Sequence, residues 1–292
     1  MISRIFLDVG GGGQSLSLPH PVPASLISIV GNKANVTDMT MLDMADAEVG
    51  YARQILPLRI HALGSTSQEV FGSAGASGAT VGGSTIRVAR VADPDDAAKF
   101  AWRLRCAKAD SDTASAGAKR GEICYSPVLR FGAEHTCGFQ FRLPSYAGHT
   151  DQFLFAQFHA NNASALVMPW LAFYMIANRI NVVARFNEAT VATAALDNVS
   201  DTWRSAVVFC RKSDGVDGRL HVTIDGQVVI DYVGPLAESN NGLPSYWKSG
   251  VYEWNAATQW DDAFPVREVY VKGLYIADGD VRDRMNAFLT EI

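Results

Sequence analysis

From Lys99 to Ala277 the chain alternates apolar and polar residues with a period of two, stretch after stretch. Successive side chains of a β-strand point to opposite faces, so this pattern predicts strands with one face buried. CGFQFRLP sets Phe139, Phe141 and Leu143 against Gln140 and Arg142. LAFYMIANRINVVARF breaks at Asn178-Arg179, a predicted hairpin turn, and resumes with Ile180, Val182, Ala184 and Phe186. RLHVTIDGQVVIDYVG reads as another hairpin, and its Asp225-Gly226 pair suits a type I′ turn. VREVYVKGLYIADG closes the series, and only the stretch from Asp280 to Ile292 reads as helical. Many antiparallel strands at close spacing predict an all-β chain, a β-sandwich jelly roll with one sheet curved into a concave groove.

The 292 residues suffice for one large domain or two smaller ones, and 48% hydrophobic with 19% charged residues is a globular balance. A net charge of −5 argues against a nucleic-acid partner, which usually selects a basic excess. No run of about 18 apolar residues is present, so no membrane helix is expected. The first residues, MISRIFLDVGGGGQ, hold too short an apolar run for a signal peptide. Composition shifts near residue 95, after a segment rich in Gly, Ala, Ser and Thr that includes GSAGASGATVGGST. Two readings stand for residues 1–95: a separate attachment module with its linker, or strands that join the main sheet. The jelly-roll domain is expected over residues 96–292. Cys106, Cys124, Cys137 and Cys210 form no CxxC pair, so a cysteine zinc site is not expected. They are read either as free buried thiols or as including a Cys124–Cys137 bridge.

Three constellations stand out. FLFAQFHANN, read by strict alternation, puts Leu154, Ala156 and Phe158 on a core face and Phe155, Gln157, His159 and Asn161 on the other. SYWKSGVYEWN puts Tyr246, Lys248, Gly250, Tyr252 and Trp254 on one face, with Trp247 and Val251 toward the core. A strand glycine leaves room for something to approach the backbone, and a polymer crossing the sheet would fit there. In KRGEICY, Arg120, Glu122 and Cys124 share a face; such an Arg–Glu pair is either a solvated ion pair or an arginine held ready for a carboxylate. Taken singly, His159 reads as a structural histidine, Tyr252 as a sheet aromatic and Lys248 as a solvated strand residue. His20, His135 and His149 fall in loop-like sequence, and His221 on an outer hairpin face. Trp170, Trp203, Trp254 and Trp260 suit either sugar stacking or the core, with the core expected for Trp203.

In this order the pieces resemble the concanavalin-like jelly-roll polysaccharide lyases that include heparin lyase I, the glucuronan lyases and the related alginate lyases. Gln157-Phe158-His159 is similar to their Q-x-H strand. The stretch from Tyr246 to Tyr252 is similar to their Y-[FW]-K-x-G-x-Y strand. Arg120-Gly121-Glu122 resembles the first half of their R-x-E-L-R strand, with Cys124 standing where a second arginine is usual. The resemblance covers residues 97–280. It implies a lyase that cleaves a uronic-acid-containing, anionic polysaccharide by β-elimination, with His159 and Tyr252 as the acid–base pair. It further implies Gln157, Lys248, Arg120, Glu122, Asn161 and Trp254 as substrate-binding residues, with neither metal nor other cofactor.

The chemistry fits those residue types. The proton on C5 of a uronate is weakly acidic, and its removal needs a neutralised carboxylate and a stabilised enolate. A base must reach C5 and an acid the leaving oxygen. In a syn elimination Tyr252 does both; in an anti elimination His159 takes the proton and Tyr252 gives one. The alternatives are a non-catalytic carbohydrate-binding jelly roll and a glycoside hydrolase. The hydrolase needs two closely placed carboxylates, and the E-x-D-x-x-E strand of comparable sandwich hydrolases is missing. Anionic polysaccharides lie outside cells. With no signal peptide read, the expected location is extracellular or virion-associated, as a phage depolymerase attached to a tail structure or an oligomer partner through residues 1–95.

Overall fold

A computed structural model describes residues 2–7, 14–22, 28–30, 33–35, 53–54, 59–61, 88–97, 99–108, 119–124, 129–160, 168–237, 245–254 and 260–291. The early strands are β1 (Ile2–Leu7), β2 (Gln14–Val22), β3 (Ser28–Val30), β4 (Lys33–Asn35), β5 (Arg53–Gln54), β6 (Arg59–His61) and β7 (Val88–Ala92). Then come β8 (Phe100–Ala107), β9 (Lys119–Cys124), β10 (Glu134–Arg142), β11 (Gln152–Ala160), β12 (Leu171–Ile176) and β13 (Arg179–Phe186). The last are β14 (Ala189–Asp197), β15 (Trp203–Arg211), β16 (Arg219–Ile224), β17 (Gln227–Val233), β18 (Ser245–Glu253) and β19 (Val266–Asp278), followed by helix α1 (Arg282–Glu291). One sheet runs β17-β16-β15-β10-β19-β8-β7, with β5 also on β19; the other runs β14-β13-β12-β11-β18-β9-β6. Among the described residues every strand ladder in both is antiparallel. This is the jelly-roll β-sandwich that the period-two pattern predicts. The β1–β2 and β3–β4 pairs form two small sheets of their own.

The sandwich closes on aromatic rings. Phe139 of one sheet packs 5.1 Å from Trp247 and 5.6 Å from Phe173 of the other, and Phe141 lies 5.1 Å from Phe155. Each fully buried phenylalanine contributes about 1.5–3 kcal/mol, so these rings fix how the sheets face each other. Trp247 and Val251 are both core residues, as the alternation requires. Trp170 and Trp260 are core as well. Trp203 is not: it is half-buried, its Nε1 donates to Asp93, and the Lys272 ammonium lies 4.2 Å from its ring centroid.

Three two-residue turns set the hairpins. Asp225 and Gly226 have φ of 51° and 74°, as a type I′ turn demands. The β12–β13 turn is Ala177-Asn178, one residue earlier than expected, with φ of 48° and 60°. Asn187-Glu188, with φ of 45° and 69°, turns β13 into β14.

One ladder breaks the strict alternation. Against both neighbours, β11 shifts register between Leu154 and Ala156. Phe155 and Ala156 therefore both enter the core, while Leu154 moves to the opposite face beside Tyr174. The expected placement of Leu154 in the core and Phe155 beside Gln157 is thus reversed, because an irregular pair of residues flips the phase of everything before it. Gln157 and His159 keep the face assigned to them.

Cys106, Cys137 and Cys210 are buried free thiols, which excludes a Cys124–Cys137 bridge. His135 lies within β10 rather than a loop, and His20 within β2. The His135 ring is wholly buried; its Nε2 accepts from the Arg130 N–H at 2.9 Å and its Nδ1 stands 3.1 Å from the Asp278 carboxylate. Burial holds its pKa down at about 4, with the Asp278 charge offsetting part of that and Arg130 adding to it. Between about pH 4 and the ordinary histidine value of 6.5, the unfolded chain binds the extra proton and the folded one does not. His135 therefore leaves stability intact above about pH 6.5 and erodes it as pH falls toward 4, by on the order of 3 kcal/mol. Urea denaturation at pH 7 and pH 4.5 should show a larger loss for the native chain than for His135→Asn.

Candidate active site

The outer face of the β11–β18 sheet carries the candidate residues. Gln157 stands directly opposite Lys248, His159 opposite Tyr246, and Leu154 opposite Tyr252. On the other side of β18, Gly250 faces Glu122 and Tyr252 faces Arg120. The two strands that carry the expected motifs are therefore nearest neighbours, and the third motif lies one strand further.

Glu122, Gln157 and Lys248 are buried and form the floor. The Gln157 Nε2 donates to Glu122 Oε1 at 2.5 Å. These residues sit on β11 and β9, with all of β18 between them, so the bond passes over Gly250. The two side chains reach across about 10 Å of sheet, and a residue without a side chain opposite Glu122 keeps that path clear. Gly250 meets that need and is fixed further by its φ of 129°. A Cβ there would come 2.3 Å from the Gly121 carbonyl oxygen. A close approach at this glycine is thus made by the β9 backbone.

His159, Tyr246, Tyr252 and Trp254 are half-buried and line the surface above that floor. The His159 ring stacks on Tyr246 at 5.5 Å with 13° between planes, and the Lys248 ammonium lies 5.2 Å from the Tyr246 centroid. Further along, Tyr252 and Trp254 are 6.2 Å apart, and Trp254 meets Tyr174 edge-on at 5.8 Å. The face thus holds a polar end around His159 and an aromatic end around Tyr252. Five residues of β11 separate the His159 position from the Leu154 position opposite Tyr252. That is about 16 Å of strand, so the two tips reach one sugar unit only by leaning toward each other across Lys248 and Gln157.

Asn161 lies outside the described residues, and of Arg120 only the backbone is described. Glu122, expected to orient Arg120, makes its described hydrogen bond to Gln157. The reading of single strands missed Tyr174 and Arg185. Tyr174 was signalled by its place opposite the core positions of LAFYMI; its union with Trp254 is tertiary. Among the described residues no group of three or more His, Cys, Asp or Glu side chains gathers to hold a metal ion.

Comparison with known proteins bears on the fold and the family. No curated protein sequence matches the chain. Among solved structures, an endo-β-1,4-glucuronan lyase from the fungus Trichoderma reesei is similar, with a TM-score of 0.56 at 15% identity, covering 67% of this chain and 88% of that one. An alginate lyase of polysaccharide lyase family 7 gives a TM-score of 0.54 at 12% identity, covering 76% and 94%. A second family 7 alginate lyase gives 0.53 at 11%, covering 76% and 95%. At such identities these likenesses speak for the fold. The model of the polysaccharide lyase family matches residues 67–273, from ahead of β7 to within β19 and across β9, β11 and β18. With most of its length matched, the chain belongs to the polysaccharide lyase family and is a carbon–oxygen lyase acting on polysaccharides.

Proposed function

We propose that this lyase cleaves a uronic-acid-containing polysaccharide by β-elimination on the outer face of the β11–β18 sheet. The observation that carries the proposal is the ladder itself: Gln157 opposite Lys248, with His159 and Tyr252 on the same face. The similar structures bear the names of glucuronan and alginate lyases, both enzymes of polyuronates, which supports a carboxylate-bearing substrate.

In this reading the polymer lies over Gln157 and Lys248. Glu122 fixes the Gln157 amide by accepting one N–H, which leaves the second to meet the uronate carboxyl group. Lys248 supplies positive charge where the enolate develops. A base removes the C5 proton, and the electron pair forms the C4–C5 double bond. The bond from C4 to the bridging oxygen breaks, and that oxygen takes a proton from the acid. Tyr252 serves as the acid, and His159 or Tyr252 itself as the base, according to whether the elimination is anti or syn. Arg120 is assigned to the substrate carboxylate, and Asn161 and Trp254 to binding the sugar chain.

Residues 1–95 are proposed to attach the enzyme outside the cell to a virion or other partner, and residues 96–292 to carry the lyase site. The small β1–β2 and β3–β4 sheets, which among the described residues pair only within themselves, support an attachment role. The short strands β5, β6 and β7 tie that segment to both main sheets through β19, β9 and β8.

Four outcomes test these assignments. Tyr252→Phe should keep its folding transition and lose about 10²- to 10⁴-fold in kcat, the usual contribution of a positioned acid or base. His159→Ala should also lose most activity, and less so in a syn elimination. The readout is ultraviolet absorbance from unsaturated product on a panel of polyuronates; silence of the native enzyme on all of them would end the uronate reading. Gly250→Ala should cost about 1–3 kcal/mol in denaturant unfolding, because a side chain at that φ is strained, and should lower kcat by parting Gln157 from Glu122. A chain beginning at residue 96 that cleaves polyuronates and no longer co-sediments with particles would support attachment through residues 1–95, and cleavage with co-sedimentation would refute it; failure of that chain to fold would place the segment in the main sheets, where β5, β6 and β7 pair.

A further inference from the structure

We propose that Arg185, braced by Tyr174, is a carboxylate-binding subsite for a second uronate unit, so that the polymer crosses the sheet from β18 toward β13. This deepens the lyase reading and rests on it.

The ladder gives the position. Phe158 pairs with Leu171, and Leu171 with Ala184. One step on, the Trp170 N–H donates to the Phe158 carbonyl and the Arg185 N–H to the Trp170 carbonyl. Arg185 thus stands in the same cross-strand row as His159, two strands away, about 10 Å. Its neighbours on β13 fix its face. Ile180, Val182 and Ala184 enter the core, so Arg185 lies on the same side as Gln157 and His159.

Its guanidinium is preorganised. Nη1 donates to the Pro169 carbonyl at 3.0 Å and Nη2 to the Tyr174 hydroxyl at 3.0 Å, and the group lies 5.8 Å from the Tyr174 ring centroid. Both hydrogen-bond partners are neutral, and among the described residues no carboxylate is paired with it. Two of its five N–H groups are used in these bonds, so the fork is oriented while its charge stays uncompensated. Such a group is a receptor for a carboxylate. It is half-buried, so a ligand on this face can reach it.

Tyr174 joins this cation to the proposed site. Its ring meets Trp254, and Trp254 neighbours Tyr252. The face from Tyr252 to Arg185 therefore runs over the half-buried rings of Tyr252 and Trp254, past the buried Tyr174 that braces the guanidinium, to a cation. Sugar faces lie on the rings and a carboxylate on the guanidinium. One monosaccharide cannot cover both His159 and Arg185, so the matching ligand is an anionic chain of several units. The subsite contributes to binding and to length selectivity, and takes no part in bond cleavage.

The test compares the native enzyme with Arg185→Ala, Arg185→Lys and Tyr174→Phe, on alginate and polyglucuronate and on their shortest cleavable oligomers. Arg185→Ala should raise KM for the polymers about tenfold, the size of one charge-assisted hydrogen bond, with kcat within about twofold and the shortest oligomers unaffected. Lysine should restore only part of the loss, since it lacks the planar fork. Tyr174→Phe keeps the ring and removes one acceptor, and should raise KM by less. An unchanged KM, or equal loss on long and short substrates, would overturn the subsite. Gel retardation by alginate, against a neutral glucan, is measured in parallel in a Tyr252→Phe background. There the addition of Arg185→Ala should weaken retardation by alginate alone. Retardation that depends on Arg185 without any unsaturated product from the native enzyme would sink the lyase reading and leave the subsite standing. Product formation with kinetics indifferent to Arg185 would do the reverse.

Discussion

The hydrogen bond from Gln157 to Glu122 sets the terms for the whole site face. It joins β11 to β9 over the top of β18, so it exists only if three conditions hold together. Gln157 must point outward, which the register shift ahead of it secures. Position 250 must carry no side chain. Glu122 must lie opposite that gap, which the β9–β18 ladder provides. Burying a carboxylate is costly without donors, and the Gln157 amide supplies one. The bond also denies Gln157 free rotation, which turns a flexible amide into a fixed one. Lys248, directly across from Gln157, adds a buried positive charge to the same floor.

The sequence made much of the scaffold legible, because burial on one face of a strand leaves a mark of period two. Phe139, Phe141, Trp247 and Val251 declared themselves in that way, and Asp225-Gly226 announced its turn by chemistry. The failures have physical causes. A strict alternation cannot register a shift like that in β11, where two consecutive residues enter the core, so Leu154 and Phe155 exchanged faces. The Ala177-Asn178 turn is weaker in type I′ chemistry than Asp-Gly, and the expected position slipped by one residue. His135 falls in sequence that reads as loop, yet it is a strand residue held by Asp278 and by the Arg130 N–H, partners that the local sequence does not announce.

The face that carries the candidate residues was more legible than its wiring. Gln157, His159, Lys248 and Tyr252 fall on one face as their strands imply. Which residue answers which was not written locally: Glu122 lies 35 positions from Gln157, and Tyr174 is far from Trp254 in the chain. Sequence patterns report the face of a strand. They do not report which strand lies beside it, and a polysaccharide site is made of exactly that second kind of information spread along a sheet. The separation of the His159 and Tyr252 positions belongs to the same logic, since a polymer meets a surface over many units.

The buried cysteines carry a consequence for where such a chain can work. Cys106, Cys137 and Cys210 are sealed in the core as free thiols, and burial drives the Cys210 pKa up to about 12 and that of Cys137 upward too. The thiolate, the reactive form, is therefore scarce at any ordinary pH, and oxidants do not reach it. The core is held by ring packing rather than by a sulfur bond among these three. It has no redox preference from them: sealed as thiols, these three positions tie the sandwich neither to a reducing nor to an oxidising surrounding.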